Sequence, residues 1–255
     1  MQYQEILSEL LSDKKLEIDN IRKPKGLLNT KWMTQKDSYS DGDTIEKMIL
    51  YNTVLAEDKY DLEKYCKENT WPEYCHFSPM RKNLVSWYPF EKNASVLEVG
   101  CGMGAITCTL CERCSDVTAV DVSLRRGVTT LFRCAEYDNL QVVIGNLNDI
   151  KFDKKFDYIT VIGVLEYQGV YTKEKSPFVT FLKNLRHLLK KNGKILLAIE
   201  NKMGIKYWCG AKEDHTGIPF DGINNYEISN SKIRTFSKAE LSDIITESGF
   251  EYSNF

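Results

Sequence analysis

No stretch of this 255-residue chain approaches the ~20 consecutive apolar residues a membrane-spanning helix needs, so no membrane span is expected. The first residues, MQYQEILSELLSDKK, lack the basic-then-apolar layout of a secretory signal. An excess of either charge is missing too. Lys and Arg number 34 against 36 Asp and Glu, a net charge of −2, so no basic field points to a nucleic-acid partner. Internal repeats and low-complexity linkers are absent. What is present is 42% hydrophobic and 27% charged residues, the balance of a globular protein. The length suits one α/β domain with an added subdomain. Eight cysteines without a secretory signal fit a reducing compartment, and a cytoplasmic location is expected.

Apolar residues at helical spacing predict a short helix over Tyr3 to Leu11. Asp19 to Asp43 carries Arg22, Lys23, Lys25, Lys31 and Lys36 with Pro24, Gly26, Asp41 and Gly42, and reads as an irregular, solvated segment. Asp43 is placed to cap a helix from Thr44 to about Leu55, and Tyr60 to Lys67 reads as a helical turn or two. Trp71 to Phe77 is aromatic-dense and reads as irregular. Ser78 and Pro79 then open a helix to Trp87.

The densest information lies between Ala94 and Asp121. Ser95 to Val99 is a short apolar, β-branched run of the kind found in buried parallel strands. Gly100, Gly102 and Gly104 let the backbone turn sharply and approach a ligand closely. A helix from about Ala105 to Arg113 points its first N–H groups back toward that ligand. Val117 to Val120 is the next strand, and Asp121 at its end suits a two-oxygen grip on a ribose diol. Helices are then expected over Leu124 to Ala135 and Phe178 to Lys190, the latter ended by Asn192-Gly193. Strands are expected over Leu140 to Ile144, Phe156 to Ile162 and Lys194 to Ile199. The alternation implies a parallel sheet covered on both faces. Residues 201–235 interrupt it with a long glycine-punctuated insertion, a length that usually signals function. Ser237 caps a last helix, Lys238 to Ser248, and a strand is expected to start at Phe250.

Gly100-x-Gly102-x-x-Ala105 formally fits the dinucleotide fingerprint, so an NAD(P)-binding oxidoreductase is one reading. Glu98 speaks against it. A carboxylate two residues before the first glycine repels a pyrophosphate, whereas an ammonium or a sulfonium tolerates it. The whole pattern E-x-G-x-G-x-G, Glu98 to Gly104, closely resembles motif I of class I S-adenosylmethionine-dependent methyltransferases. The resemblance covers roughly Ser78 to Phe255. It implies an α/β, Rossmann-like sheet with helices on both faces, preceded by an N-terminal, mostly helical cover over residues 1–77. The methyltransferase domain would span 78–255, with 201–235 as the insertion on the acceptor side. The fold would finish with an antiparallel hairpin, of which the sequence offers only the start.

By resemblance, Gly100 and Gly102 would line the methionine end of S-adenosylmethionine, with Glu98 near its amino group, and Cys101 and Gly104 would also belong to the cofactor site. Asp121 would hold the ribose hydroxyls and Val122 would pack on the adenine. Asn146, followed by Leu147, stands where many members have an acid that accepts from the adenine amino group, and an amide oxygen can do the same. Ile162 and Gly163 would offer carbonyls to the methionine ammonium. Arg81 would pair with the cofactor carboxylate or an acceptor phosphate, or else form a surface ion pair.

Two departures restrict the chemistry. Leu165-Glu166-Tyr167 stands where many relatives carry Leu-Glu-His, and no Asn/Asp-Pro-Pro-aromatic motif follows. A nucleic-acid substrate is therefore not expected. A non-catalytic cofactor-binding module remains an alternative. The insertion, with the flanking Ser78-Pro79-x-Arg81 and Arg234-Thr235-Phe236, looks similar to bacterial methyltransferases associated with surface-polysaccharide glycosyltransferases. This suggests a small-molecule or carbohydrate hydroxyl as acceptor, with S-adenosylhomocysteine as product. His215, oriented by Glu213 or Asp214, is the candidate general base. His76 is a secondary candidate, and His187 reads as structural. Trp71, Tyr74, Tyr167, Tyr207 and Trp208 could stack on a sugar or meet the sulfonium. Cys108-x-x-Cys111-x-x-Cys114 lacks a matching fourth ligand and reads as helix packing, so no metal site is expected.

Overall fold

The computed structural model describes residues 3–12, 21–34, 42–58, 60–67 and 71–255. The expectations for Lys36 and Asp41 lie outside these residues, as does the side chain of Trp71. The chain divides into two compact units, Met1–Tyr158 and Ile159–Phe255. Six strands, β1 (Leu27–Trp32), β2 (Ser95–Val99), β3 (Asp116–Asp121), β4 (Leu140–Gly145), β5 (Phe156–Ile162) and β6 (Leu189–Ala198), form one sheet in the order β1-β4-β3-β2-β5-β6.

In the first unit the core strands are β2 (Ser95–Val99), β3 (Asp116–Asp121) and β4 (Leu140–Gly145), after β1 (Leu27–Trp32). All pairings among them are parallel. Leu97 faces Thr118, Ala119 faces Val142, and Leu28 also faces Val142 across the β1–β4 pair. Every residue of β2 is buried, as a strand covered on both faces must be. The start of β5 (Phe156–Ile162) joins β2 through Asp157, whose Oδ2 accepts from both the N–H (2.8 Å) and hydroxyl (2.9 Å) of Ser95.

β1 corrects the expectation of an irregular segment over Asp19 to Asp43. LLNTKW shows no apolar–polar alternation, because an edge strand needs only one hydrogen-bonded side and buries little. Its residues are half-buried or exposed, with Lys31 on the open edge. Gly145 is fitted to this strand. A Cβ there would stand 2.6 Å from the Trp32 carbonyl oxygen, so only glycine admits the pairing.

The helices of this unit are α1 (Tyr3–Leu10), α2 (Asp43–Leu55), α3 (Trp71–Phe77), α4 (Asn83–Ser86), α5 (Thr107–Arg113) and α6 (Leu124–Arg133). α1 buries Ile6 and Leu7 against Leu50 and Val54 of α2 and Val128 and Phe132 of α6. Within the same interface Glu46 accepts from Arg126 through Nε (2.9 Å) and Nη2 (2.8 Å), both residues being buried. Removing one partner of such a pair costs about 3–5 kcal/mol, since a buried charge is left alone.

Three expectations need correction here. Asp43 is not the cap of α2 but its first residue, after Gly42, and its carboxylate pairs with Lys47 (3.1 Å) and Arg125 (2.7 Å). Trp71 to Phe77 is helical rather than irregular. Pro72 sits in the first turn, where a missing N–H is harmless, and Phe77 is drawn into a core with Ile49, Leu62 and Met103. Ser78 does accept from the Met80 N–H, but a 3-10 turn over Pro79–Lys82 precedes the short α4.

The second unit carries the rest of β5, a 3-10 turn (Leu165–Tyr167), α7 (Gln168–Tyr171), α8 (Pro177–Leu188), β6 (Leu189–Ala198), α9 (Ile205–Trp208) and α10 (Lys238–Glu247). The Gly163 N–H donates to the Ala198 carbonyl (3.0 Å), bringing the C-terminal ends of β5 and β6 side by side. Asn192-Gly193 does not end α8, contrary to expectation. The buried Leu189 leaves the helix at φ −77°, ψ 144°, and the pair falls inside β6. The cap of α10 is as expected, strengthened by Glu240, which bonds back to the Ser237 N–H. No strand follows at Phe250. Gly249 turns the chain with φ 85°, and Glu251 and Tyr252 after it are exposed, with nothing to bury a strand face.

Candidate functional site

The glycine turn of the first unit is built as its sequence requires. Gly100, Gly102 and Gly104 have φ of 72°, 55° and 78°, values that L side chains rarely adopt. Two of them serve different ends. A Cβ on Gly104 would press to 3.0 Å from Thr130 Cα, so this glycine lets the turn seat on α6. A Cβ on Gly102 would meet nothing within 4 Å, so that face of the turn is open to a ligand. The helix behind the turn begins at Thr107, two residues later than expected, because the left-handed glycines delay helical geometry.

Asp121 closes β3 where the sequence places it, buried to 8% exposure. Its Oδ2 accepts from the Gly102 N–H (2.9 Å) and its Oδ1 from the Ser123 N–H (3.0 Å). The carboxylate thus braces the turn from the end of β3. Glu98 lies beneath, 4% exposed, and accepts from the Thr107 hydroxyl at 2.6 Å. Burial pushes its carboxyl up to about 8, opposed by the Thr107 bond and reinforced by the charge of Asp121. A cation brought to this turn would relieve that burden, which suits a ligand carrying an ammonium or sulfonium.

The other expected cofactor residues are distributed as follows. Cys101 is buried, its sulfur accepting from Thr130. Val122 and Leu147 are half-buried. The Asn146 amide oxygen accepts from the Asn148 N–H (3.0 Å), so its side chain shapes its own turn. Half-buried Arg81 holds a buried Nε with no hydrogen-bond partner. In the second unit, Ile162 is half-buried and Gly163 is exposed with φ 65°.

The insertion forms a polar site of its own. Glu213 is its centre. Oε2 accepts from the N–H groups of His215 and Thr216, both at 2.7 Å, and Oε1 meets His215 Nδ1 at 3.0 Å and the Tyr226 hydroxyl at 3.2 Å. Burial raises the pKa of this carboxylate, but the His215 ring and the backbone N–H bonds prevail, and it ends at about 2. An ionised Glu213 can only accept. His215 Nδ1 must therefore donate, which leaves Nε2 with the free lone pair when the ring is neutral. Burial disfavours the charged ring, but Glu213 outweighs it, and the His215 pKa lies above its ordinary value.

Of the two acids expected beside the ring, Glu213 meets it. Asp214 turns to Lys206 (2.6 Å) and the Tyr207 hydroxyl (2.8 Å) instead. Tyr226 sits at φ 61°, a strained value for a bulky residue, costing on the order of 1–3 kcal/mol. Its buried hydroxyl offsets this by joining Glu213, the Thr235 N–H (2.8 Å) and the Thr235 hydroxyl (2.7 Å). Tyr167 packs edge-on against the His215 ring, 5.5 Å between centroids.

Two acids complete this cluster, and sequence reasoning passed them over as functional groups. Ligand atoms of Glu166, Glu200 and His215 all lie within 4.8 Å of one another. The available signal was position, since each acid follows the C-terminal end of a parallel strand, where α/β sheets bind ligands. Glu166 is 2% exposed, and its Oε2 has no hydrogen-bond partner. Burial pushes Glu166 up to about 7. The cysteine run does not form a ligand set among the described residues. Cys108 contacts Cys134 instead, with sulfurs 3.0 Å apart. His187 is exposed, and His76 is half-buried on α3.

Residues 97–195 match the family model of the methyltransferase domain. An uncharacterized methyltransferase of Staphylococcus carnosus is 32% identical over 125 residues, 49% of this chain and 54% of that protein, so the match spans about half of that relative. A ubiquinone biosynthesis O-methyltransferase of Rickettsia canadensis is 25% identical over 211 residues, covering 76% of this chain and 84% of that one. In fold, the chain is similar to magnesium protoporphyrin IX methyltransferase from Synechocystis PCC 6803, solved with bound S-adenosylhomocysteine. The TM-score is 0.54 at 13% identity, over 84% of this chain and 91% of that one. Among the described residues, no helix is long and apolar enough to cross a membrane. Residues 97–195, which hold the glycine turn and the acid closing β3, thus form a methyltransferase domain.

Proposed function

We propose that this protein transfers the methyl group of S-adenosylmethionine to a hydroxyl of a small molecule, a carbohydrate being the favoured acceptor class, and releases S-adenosylhomocysteine. When bound, the cofactor supplies an electrophilic methyl group on a sulfonium. The chain's own residues do the rest. Gly102 leaves room at the turn, Asp121 holds the ribose hydroxyls, and Glu98 beneath ionises against the cofactor's positive charge when it arrives. Arg81 is kept for a carboxylate or phosphate. On the acceptor side, the Glu213–His215 pair carries the reading. An alcohol is a weak nucleophile and gains from losing its proton as the new bond forms, and a lone pair fixed by an ionised carboxylate is suited to that task.

Relatives named as O-methyltransferases favour oxygen as the methylated atom. The carbohydrate preference rests on the kinship of the insertion's sequence and on exposed aromatic surface there, with Trp208 55% exposed. The cysteine content supports a reducing, cytoplasmic setting.

The test is incubation of the full chain with methyl-labelled cofactor and a panel of sugars, sugar phosphates and phenols. Label recovered as an O-methyl ether, with equimolar S-adenosylhomocysteine, is the expected result. S-adenosylhomocysteine binding without turnover on the panel or on a cell extract would favour a cofactor-binding partner module instead.

A further inference from the structure

The insertion holds more acid than a simple histidine base requires. We infer that Glu166, Glu200 and His215 bind one divalent first-row metal ion, whose open coordination positions receive the acceptor hydroxyl.

The donor atoms are already gathered, all within 4.8 Å of one another. Their meeting is fixed by backbone. Glu166 and Glu200 follow β5 and β6, whose ends are tied by the Gly163–Ala198 hydrogen bond. The Arg234 N–H donates to the Glu166 carbonyl (3.0 Å), holding the far end of the insertion to the same turn. His215 is set by Glu213 through ring and backbone, and Glu213 in turn by Tyr226. A histidine that gives its other N–H to a carboxylate is the usual arrangement of a metal-ligating imidazole.

The second observation is independent of that clustering. Glu166 is 98% buried yet leaves Oε2 without a hydrogen bond. An unsatisfied buried carboxylate oxygen is costly, on the order of 1–3 kcal/mol or more, and calls for a cation or donor. Among the described residues, three cations of the insertion are engaged elsewhere. Lys202 binds Asn225 and Glu240, Lys206 binds Asp214, and Arg234 donates to the Asn225 carbonyl and lies over the Tyr226 ring. A divalent ion supplies the missing charge, two carboxylates against two positive charges.

One imidazole nitrogen and two carboxylates form a mixed donor set that suits manganese or zinc. Three protein ligands leave positions open for substrate. An alcohol coordinated there becomes more acidic and gives its proton to solvent water. As the O–CH3 bond forms, the C–S bond breaks and its electron pair stays on sulfur. In this use His215 Nε2 is a ligand rather than the proton acceptor. The role assigned to the ion rests on the methyl-transfer reading, while the binding of the ion does not.

The experiment is titration of chelator-treated full-length protein with Mn2+, read by electron paramagnetic resonance, with Zn2+ as competitor. The expected result is one Mn2+ per chain, displaced by Zn2+ and weakened at least about tenfold in Glu200→Gln and in His215→Ala. Glu200 is exposed, so its variant keeps the fold and carries the test even where His215→Ala does not. His187→Ala, on an exposed face of α8, should bind like wild type. Absence of saturable Mn2+ binding below millimolar, or equal affinity in wild type and Glu200→Gln, overturns the inference. S-adenosylhomocysteine affinity is measured separately on the same samples. Its loss with Mn2+ binding intact would sink the methyl-transfer reading and leave the ion site standing.

Discussion

Two buried glutamates, one in each unit, have been treated differently by the fold. Glu98 sits under the glycine turn and Glu166 at the end of β5, both almost wholly buried, and burial raises both carboxyls, to about 8 and about 7. Glu98 is answered from within its own segment by the Thr107 hydroxyl at 2.6 Å. Glu166 keeps an oxygen with no partner, facing another carboxylate and a histidine. The first lies under the turn proposed to receive the cofactor. The second lies in the carboxylate–histidine cluster for which an ion is inferred above. On the proposed reading, the same residue type and burial serve a cofactor cradle in one unit and an acceptor-side site in the other.

Substitutions can break or sharpen that contrast. The largest effect is expected at His215. His215→Ala should lower turnover by about 10²–10⁴-fold while leaving S-adenosylhomocysteine affinity unchanged, as read by single-turnover kinetics beside calorimetry. Unchanged turnover would remove the insertion from the chemistry. Asp121→Ala should do the reverse. It should weaken cofactor binding roughly 10–100-fold through lost charge-assisted hydrogen bonds, with Mn2+ affinity untouched. Glu166→Gln and Glu98→Gln compare the two acids directly. The former should weaken Mn2+ binding about tenfold and the latter not at all, measured in the same titration.

The smallest effect is on stability. The folded-state pKa of Glu98 is raised, so its protonated form is favoured by folding. Its contribution is fully present below the unfolded pKa of ~4.5 and is lost as pH rises through about 8. Glu98→Gln, which cannot ionise, should therefore gain melting temperature over wild type as pH climbs across that window. The gain should grow through that window and level off above it. A constant difference across that pH range would show that Glu98 is not held protonated.

How much of this was legible beforehand follows from the range of the interactions. The glycine turn, the acid after β3 and the helix caps at Ser123 and Ser237 involve residues a few positions apart, or one strand–turn–helix unit, where spacing is informative. Ser123 itself was overlooked although its position was readable. β1 was missed because an edge strand with Asn29, Thr30 and Lys31 in it carries no periodic signal, and only its pairing with β4 makes it a strand. The helix over Trp71–Phe77 owes its form to a core with Ile49, Leu62 and Met103, distant in sequence. In the insertion, His215 and Glu213 were readable as neighbours. Glu166 and Glu200 join them only because β5 and β6 end side by side, which no local pattern announces.

The most direct test is calorimetric titration of the wild-type chain with S-adenosylhomocysteine and, in parallel, with NADH. One site per chain for S-adenosylhomocysteine and none for NADH is the predicted result. Saturable NADH binding with no S-adenosylhomocysteine binding would contradict the assignment of the glycine turn to S-adenosylmethionine.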